Sequence, residues 1–161
     1  LVKENLAILE DKVNRIKRKS FMDEEEYLKK RNSFKKMRGK LQWPVKGEID
    51  SKFGVLYNSN LKTATQNIGI EIKCKKNNPV KAVMDGIVKK VTFVTGRGNV
   101  IIIDHGHNYK TIYSNIKNIT VTEGQYVQGQ QQIALTKESS LHFQIWEKNE
   151  VLNPERWLTK N

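Results

Sequence analysis

From Trp43 onward the chain consists of short apolar runs separated by glycine turns. This pattern restricts the folds that the chain can adopt. Turn signals such as Asp85-Gly86, Gly96-Arg97-Gly98 and Glu123-Gly124 punctuate the runs. Many short strands without a helical pattern predict a mostly antiparallel β domain over residues 43–161. The predicted strands cover residues 49–53, 68–74, 80–83, 86–94, 99–104, 109–114, 119–121, 132–135 and 141–146.

Residues 1–42 have a different pattern, which predicts a helical arm and an α+β chain overall. Apolar residues from Val2 to Ile16 recur at spacings of four and three, the seam of a coiled coil. Asp23 and Glu26 form a capping box that opens a second helix. Because the proline of Trp43-Pro44 disfavours helix at the preceding residue, the boundary is placed near residue 42.

The chain is strongly basic, with 29 Lys and Arg against 17 Asp and Glu and a net charge of +12. Such a field favours anionic partners. Nucleic acid is not predicted, because neither a recognition helix nor an aromatic strand platform is evident. The lone Cys74 lies in an alternating run and is expected to be structural. The chain begins at Leu1 and is expected to be a fragment without a visible signal peptide or membrane span.

A set of motifs runs in order from residue 43 to 158. Trp43-Pro44-Val45-Lys46-Gly47 opens it, and Asn153-Pro154 with Trp157-Leu158 closes it. Between them lie a valine–alanine–aspartate–glycine segment at 80–88, a glycine–asparagine hairpin at 98–106 and a glycine-rich segment at 121–134. This ordered set resembles the LytM/lysostaphin-type peptidoglycan metallopeptidases, whose fold it implies.

The resemblance places the family's site at five positions in three motifs, and this sequence departs from the family at four of them. Metal ligands of the family fall at Asn67, Glu71 and His142, and its two catalytic histidines fall at Asn115 and Ser140. Catalytic zinc needs about three protein ligands and an open position, and neither Asn nor Ser replaces imidazole as a proton-transfer group. We therefore expect a degenerate domain with no catalytic residues, no zinc and no other cofactor.

The alternation of residues in the predicted strand 140–146 indicates which side chains line the former substrate groove. Alternation puts Leu141, Phe143 and Ile145 on a core face and the residues between them on the groove face. Together with the degenerate positions, they form a predicted partner-binding groove. Its residues are Asn67, Glu71, Tyr113, Asn115, Ser140, His142, Gln144 and Trp146.

A helical arm before a LytM domain lacking its ligands is similar to the EnvC-like murein hydrolase activators. That resemblance implies a periplasmic, non-catalytic activator of a zinc N-acetylmuramoyl-L-alanine amidase, acting in cell-wall remodelling and daughter-cell separation. It also implies that the coiled coil docks on a membrane ABC-transporter-like division complex. Residues 20–42 are a candidate autoinhibitory arm over the groove, with Tyr27, Phe34 and Met37 as contacts.

Two alternatives stay open at this point. A passive peptidoglycan-binding module would use the same groove but would not need the helical arm. A divergent cell-wall metalloendopeptidase would need ligands from outside the three motifs, and the sequence offers none that is evident.

Overall fold

The computed structural model describes residues 34–160, which form an antiparallel β domain with two short 3-10 helices. The helices are η1 (Phe34–Met37) and η2 (Pro154–Arg156). The strands are β1 (Glu48–Ser51), β2 (Gly54–Asn58), β3 (Thr63–Asn67), β4 (Ile70–Lys73), β5 (Pro79–Lys81), β6 (Gly86–Val94), β7 (Gly98–Gly106), β8 (Tyr109–Lys117), β9 (Tyr126–Val127), β10 (Gln132–Thr136), β11 (Ser140–Glu147) and β12 (Glu150–Leu152).

Ten of these strands form one sheet, and β2 pairs with β3 in a separate hairpin. The main path runs β1-β4-β11-β8-β7-β6-β9, with β12 beside β11, β10 against β8, and β5 beside β10. Every strand pairing described is antiparallel. The prediction of a mostly antiparallel β domain is therefore confirmed.

Side chains of the long central strands β7, β8 and β11 point alternately to the two faces of the sheet. On β11, Leu141, Phe143 and Ile145 are fully buried, as the alternation predicts. Phe143 lies opposite Tyr113 and Ile145 opposite Thr111 in the register with β8. We call this side the core face. The opposite side, which carries His142 and Gln144, is called the groove face.

Residues 34–42 add apolar side chains to the core face. Phe34 is fully buried, and its ring centroid lies 4.9 Å from that of His105 and 5.0 Å from those of Tyr109 and Trp157. Leu41 is also buried and forms a parallel bridge with Leu158. Phe34 therefore packs across the sheet from the groove, which corrects its prediction as a groove contact.

The rest of the predicted arm, with its coiled-coil seam and Tyr27, lies outside the described residues. Met37 is partly buried against the core. Among residues 34–160, no helix is long and apolar enough to cross a membrane.

Two local differences from the sequence prediction have a physical cause. The β2–β3 hairpin was not predicted, because its strands are almost wholly exposed and carry no one-sided burial pattern. The strand predicted over 119–121 is absent. Asn118 has a φ of 49°, a left-handed conformation that ends the extended path of β8 just before this segment.

Candidate functional site

The groove face centres on a direct contact between Glu71 and His142. Antiparallel register sets Glu71 on β4 opposite His142 on β11, which in turn lies opposite Ser114 on β8. Directly opposed residues of an antiparallel pair point to the same face. His142 Nδ1 donates to Glu71 Oε1 across 2.7 Å. Two of the residues that the sequence assigned to a metal site therefore bond to each other.

The turn between β6 and β7 places the Arg97 guanidinium beside Glu71. Arg97 Nη1 lies 3.7 Å from Glu71 Oε1, with the two side chains about one-third exposed. The Arg97 carbonyl accepts a 3.0 Å hydrogen bond from the backbone of Asn115. Gly96 and Gly98 flank Arg97 with φ values of 85° and 80°, and this region favours glycine. Arg97 was not predicted as a site residue; only its glycine-flanked turn was visible in the sequence.

Asn115 and Ser140, at the positions assigned to the two catalytic histidines, also bond to each other. Asn115 Nδ2 donates to the Ser140 carbonyl at 3.1 Å and lies 3.5 Å from Ser140 Oγ. The backbone of Asn115 has a φ of 67°, which Asn tolerates better than most residues. An amide and a hydroxyl held in this way supply no group that titrates near neutral pH.

Asn67 ties the base of the β2–β3 hairpin to the strand before it. Its Nδ2 donates to Ser51 Oγ at 3.3 Å and to the Lys52 carbonyl at 3.0 Å. Its Oδ1 accepts from the Gly69 backbone at 3.4 Å. Gly69 is required here, because a Cβ would lie 2.4 Å from the Phe143 carbonyl oxygen. Both ends of the Asn67 amide are therefore engaged by neighbouring backbone or hydroxyl groups.

The remaining predicted groove residues divide into exposed and buried sets. Trp146 and Ser140 are partly exposed, whereas Gln144 is only 5% exposed and accepts a 2.8 Å hydrogen bond from Trp146 Nε1. Tyr113 does not line the groove. It is fully buried on the core face, where its hydroxyl accepts from the Val83 backbone at 3.1 Å. Its assignment to the groove is corrected accordingly.

Two buried polar atoms of the groove face have no hydrogen-bond partner among the described residues. They are His142 Nε2 and Ser114 Oγ, which belong to directly opposed residues on β11 and β8. His142 is 2% exposed and Ser114 is 1% exposed. Most buried polar groups in native proteins have a hydrogen-bond partner. The His142–Ser114 pair therefore has fewer hydrogen bonds than the polar groups of an ordinary structural core.

The fold and these positions agree with a known family. The family model for peptidase family M23 matches residues 65–154. The chain belongs to this family. The match includes all five positions assigned to the family's metal ligands and catalytic histidines.

Curated relatives include two proteins of Escherichia coli named as murein hydrolase activators. The chain is 30% identical to EnvC over 127 residues, which cover 75% of this chain and 29% of EnvC. It is 32% identical to NlpD over 123 residues, which cover 73% of this chain and 31% of NlpD. The chain therefore spans about a third of the length of these relatives. Their names support a cell-wall role for the domain.

Among solved structures, a zinc-containing peptidase from Vibrio cholerae superposes with a TM-score of 0.66. The two are 26% identical, and the match covers 71% of this chain and 39% of the peptidase. That similarity raises the question of whether the present chain could hold zinc in the same place.

The residues at the family's ligand positions do not fit a zinc ion. A catalytic zinc takes about three protein ligands with Cys, His, Asp or Glu side chains. Of the three ligand positions, only Glu71 and His142 carry such a side chain, and they bond to each other. The third position is the engaged amide of Asn67. Within residues 34–160, no group of three or more His, Cys, Asp or Glu is placed to bind a metal.

Proposed function

We propose that this chain is the LytM portion of a non-catalytic activator of a zinc N-acetylmuramoyl-L-alanine amidase. It would act in the periplasm, in cell-wall remodelling and daughter-cell separation. The observation that carries the proposal is the pairing of the former site residues with one another. Glu71 bonds to His142, and Asn115 bonds to Ser140, in place of a metal centre and its proton-transfer groups.

The same groove supplies features suited to a protein partner. Trp146 is partly exposed at its end, and tryptophan is a frequent anchor of protein interfaces. Arg97 stands beside Glu71 with about a third of its side chain exposed. Arginine and tryptophan on one face of the sheet give directional and apolar contacts together. The proposal assigns these contacts to the amidase.

The relatives add support of a different kind. Two proteins with 30–32% identity to this chain carry the name murein hydrolase activator. The shared segments cover 73–75% of this chain. The proposal extends the activator role from those proteins to this one, with the amidase as the hydrolase.

The helical arm has a place in the proposal, although most of it lies outside the described residues. The proposal keeps a helical arm before the LytM domain, but residues 34–42, which the sequence assigned to the arm, pack with the domain. The coiled coil would dock on a membrane ABC-transporter-like division complex, and the part of residues 20–42 that precedes Phe34 would restrain the groove. A tethered segment benefits from high effective concentration. A lid closed about 99% of the time would weaken apparent partner binding about a hundredfold. Because Phe34 is part of the core, any such lid must end before it.

The deciding experiment measures dye release from labelled sacculi. The full chain alone should release none, a zinc amidase alone should release little, and the two together should release several times more. Trp146→Ala should lower the stimulated rate, whereas Lys89→Ala, an exposed change on β6, should leave it unaltered. A chain of residues 34–161 should stimulate more strongly than the full chain if the arm restrains the groove.

Each alternative gives a different result in the same assay. Dye release by the chain alone would identify a divergent cell-wall metalloendopeptidase. Sedimentation with sacculi and no effect on any amidase would identify a passive peptidoglycan-binding module. Either result would reject the activator.

A further inference from the structure

A concave surface lies away from the groove, around the Trp43-Pro44 segment. It has a volume of about 800 Å³ and shares no lining residue with the groove. Sites for small ligands typically have volumes of roughly 300–1,000 Å³. Trp43, Pro44 and Pro79 supply its apolar lining. We call this surface the Trp43 concavity.

The wall of the Trp43 concavity is held in place by backbone contacts. Trp43 Nε1 donates to the Thr159 carbonyl at 2.8 Å, which fixes the indole plane. The Lys81 backbone donates to the Pro44 carbonyl at 2.7 Å. Gly47 lies so close to β4 that a Cβ there would be 2.0 Å from the Lys73 carbonyl oxygen. A ligand would meet a surface that is already ordered, which reduces the entropy lost on binding.

Three amide side chains line the same surface and are not used by the fold. They belong to Gln42, Asn78 and Gln130. Among the described residues, none of the three side-chain amides has a hydrogen-bond partner. Each amide offers both donors and an acceptor. This matches a ligand whose own groups both donate and accept, as sugar hydroxyls and acetamido groups do.

The charge of the lining selects further among such ligands. Lys46 and Lys81 line the concavity and are exposed, and neither forms an ion pair within the described residues. Glu48 is the one acidic residue in this lining. A ligand with a carboxylate would therefore be favoured over a neutral one.

From these observations we propose that the Trp43 concavity is a binding site for an acidic saccharide. The apolar C–H face of a sugar ring would lie on the indole of Trp43 and the neighbouring prolines. Its hydroxyl and acetamido groups would bond to the three free amides, and its carboxylate would face Lys46 and Lys81. The site is independent of the proposed amidase contact, since the two surfaces share no residue.

The test is an NMR titration of the full chain with three disaccharides. N-acetylglucosaminyl-N-acetylmuramic acid carries a lactyl carboxylate, and diacetylchitobiose is its neutral counterpart. Digalacturonic acid represents acidic polysaccharides unrelated to the cell wall. The acidic wall disaccharide should shift the indole resonance of Trp43 and leave that of Trp146, in the groove, unmoved. Binding by the wall disaccharide alone assigns the source to peptidoglycan, and equal binding of both acidic sugars assigns the site to acidic saccharides generally.

Charge-reversal variants make the test specific. Lys46→Glu with Lys81→Glu should weaken binding about tenfold, because two exposed attractions of modest size become repulsions. Lys89→Glu with Lys90→Glu makes the same change in net charge on exposed residues of β6 and should leave binding unaltered. Thermal unfolding checks that both variants remain folded.

The Gln42→Ala and Gln130→Ala double variant tests the amides without changing charge and should weaken binding several-fold. The proposal is overturned if none of the sugars binds, if diacetylchitobiose binds as tightly as the acidic disaccharide, or if the shifts centre on Trp146. Unchanged binding by the Lys46/Lys81 variant would overturn it as well. None of these results bears on dye release, so the activator proposal is judged separately.

Discussion

The two faces of the central sheet each bury a histidine, and the two histidines have different surroundings. On the core face, His105 Nδ1 donates to the Asp85 carbonyl at 2.8 Å, and Nε2 lies 2.7 Å from Thr111 Oγ1. Thr111 Oγ1 lies 2.9 Å from the Tyr113 hydroxyl, which accepts from the Val83 backbone. Each polar atom of this network therefore has a hydrogen-bond partner.

On the groove face, His142 has one ring nitrogen bonded to Glu71 and the other without a partner among the described residues. Ser114, opposite it, has a partnerless hydroxyl as well. A closed network is what stability alone requires, because an unpaired buried group costs free energy. The core face is therefore organised for folding, whereas the groove face keeps polar groups that folding does not need.

The largest expected effect comes from removing the aromatic ring that covers His105. Phe34→Ala should lower the free energy of unfolding by about 3–5 kcal/mol, because it opens a cavity beside three aromatic rings. Urea unfolding of the full chain measures it. Phe93→Ala is the matched control, since Phe93 is 67% exposed, and should change stability by less than about 0.5 kcal/mol. Equal effects would show that residues 34–42 are not part of the core.

Residue 34 also shows how far the sequence could predict this fold. The strands with one buried face, such as β11, were predictable because burial imposes a period of two. Phe34 was assigned to an arm because its neighbours follow a helical spacing, and the 3-10 turn that folds it under Trp157 depends on contacts far along the chain. Long-range packing of this kind leaves no local signal.

The site was predictable as a set of positions but not as a set of contacts. Asn67, Glu71, Asn115, Ser140 and His142 were identified from their places in ordered motifs. Tyr113 was expected in the groove from its place in the same motif as Asn115. It lies opposite Phe143 in the register of β8 with β11, so it faces the core. The Arg97–Glu71 contact joins residues on separate turns and strands, which the sequence does not pair.

The next largest effect concerns pH and tests whether the core network requires a neutral His105. Burial lowers the pKa of His105 from 6.5 to about 4, against smaller opposing effects of the Asp85 carbonyl and Asp104. The folded state therefore resists protonation that the unfolded chain accepts. Stability should be fully present above pH 6.5 and should fall by up to about 3 kcal/mol as the pH drops towards 4.

Unfolding experiments between pH 4 and 7 measure this loss, and two variants assign it. His107→Gln, at an exposed histidine, should keep the wild-type dependence, whereas His105→Gln should remove this part of it. NMR titration of the His105 ring gives a second measurement that needs no variant. A midpoint near 6.5 in the folded protein would show that the core network tolerates a charged ring.

A smaller effect compares neighbouring residues that face opposite sides of the sheet. Tyr113→Phe should cost about 1–2 kcal/mol, because the buried Val83 amide loses its acceptor. Ser114→Ala should be neutral or slightly stabilising, because it removes a buried hydroxyl that has no partner among the described residues. Urea unfolding of both variants at pH 7 tests the difference. A cost of 1 kcal/mol or more for Ser114→Ala would mean that the groove face is as closed as the core face.

The smallest expected effect on stability is that of Arg97, although it bears most directly on the purpose of the groove. Arg97→Gln should change the free energy of unfolding by less than about 1 kcal/mol, because a partly exposed ion pair at 3.7 Å contributes little. Its backbone bond to Asn115 is retained in the variant. Arg97→Lys keeps the charge and serves as the control in urea unfolding at low and high salt. A loss above 2 kcal/mol would place Arg97 among the residues that hold the fold together. A small loss combined with weaker amidase stimulation, restored in part by Arg97→Lys, would instead show that its charge serves the partner, as the open network of the groove face predicts.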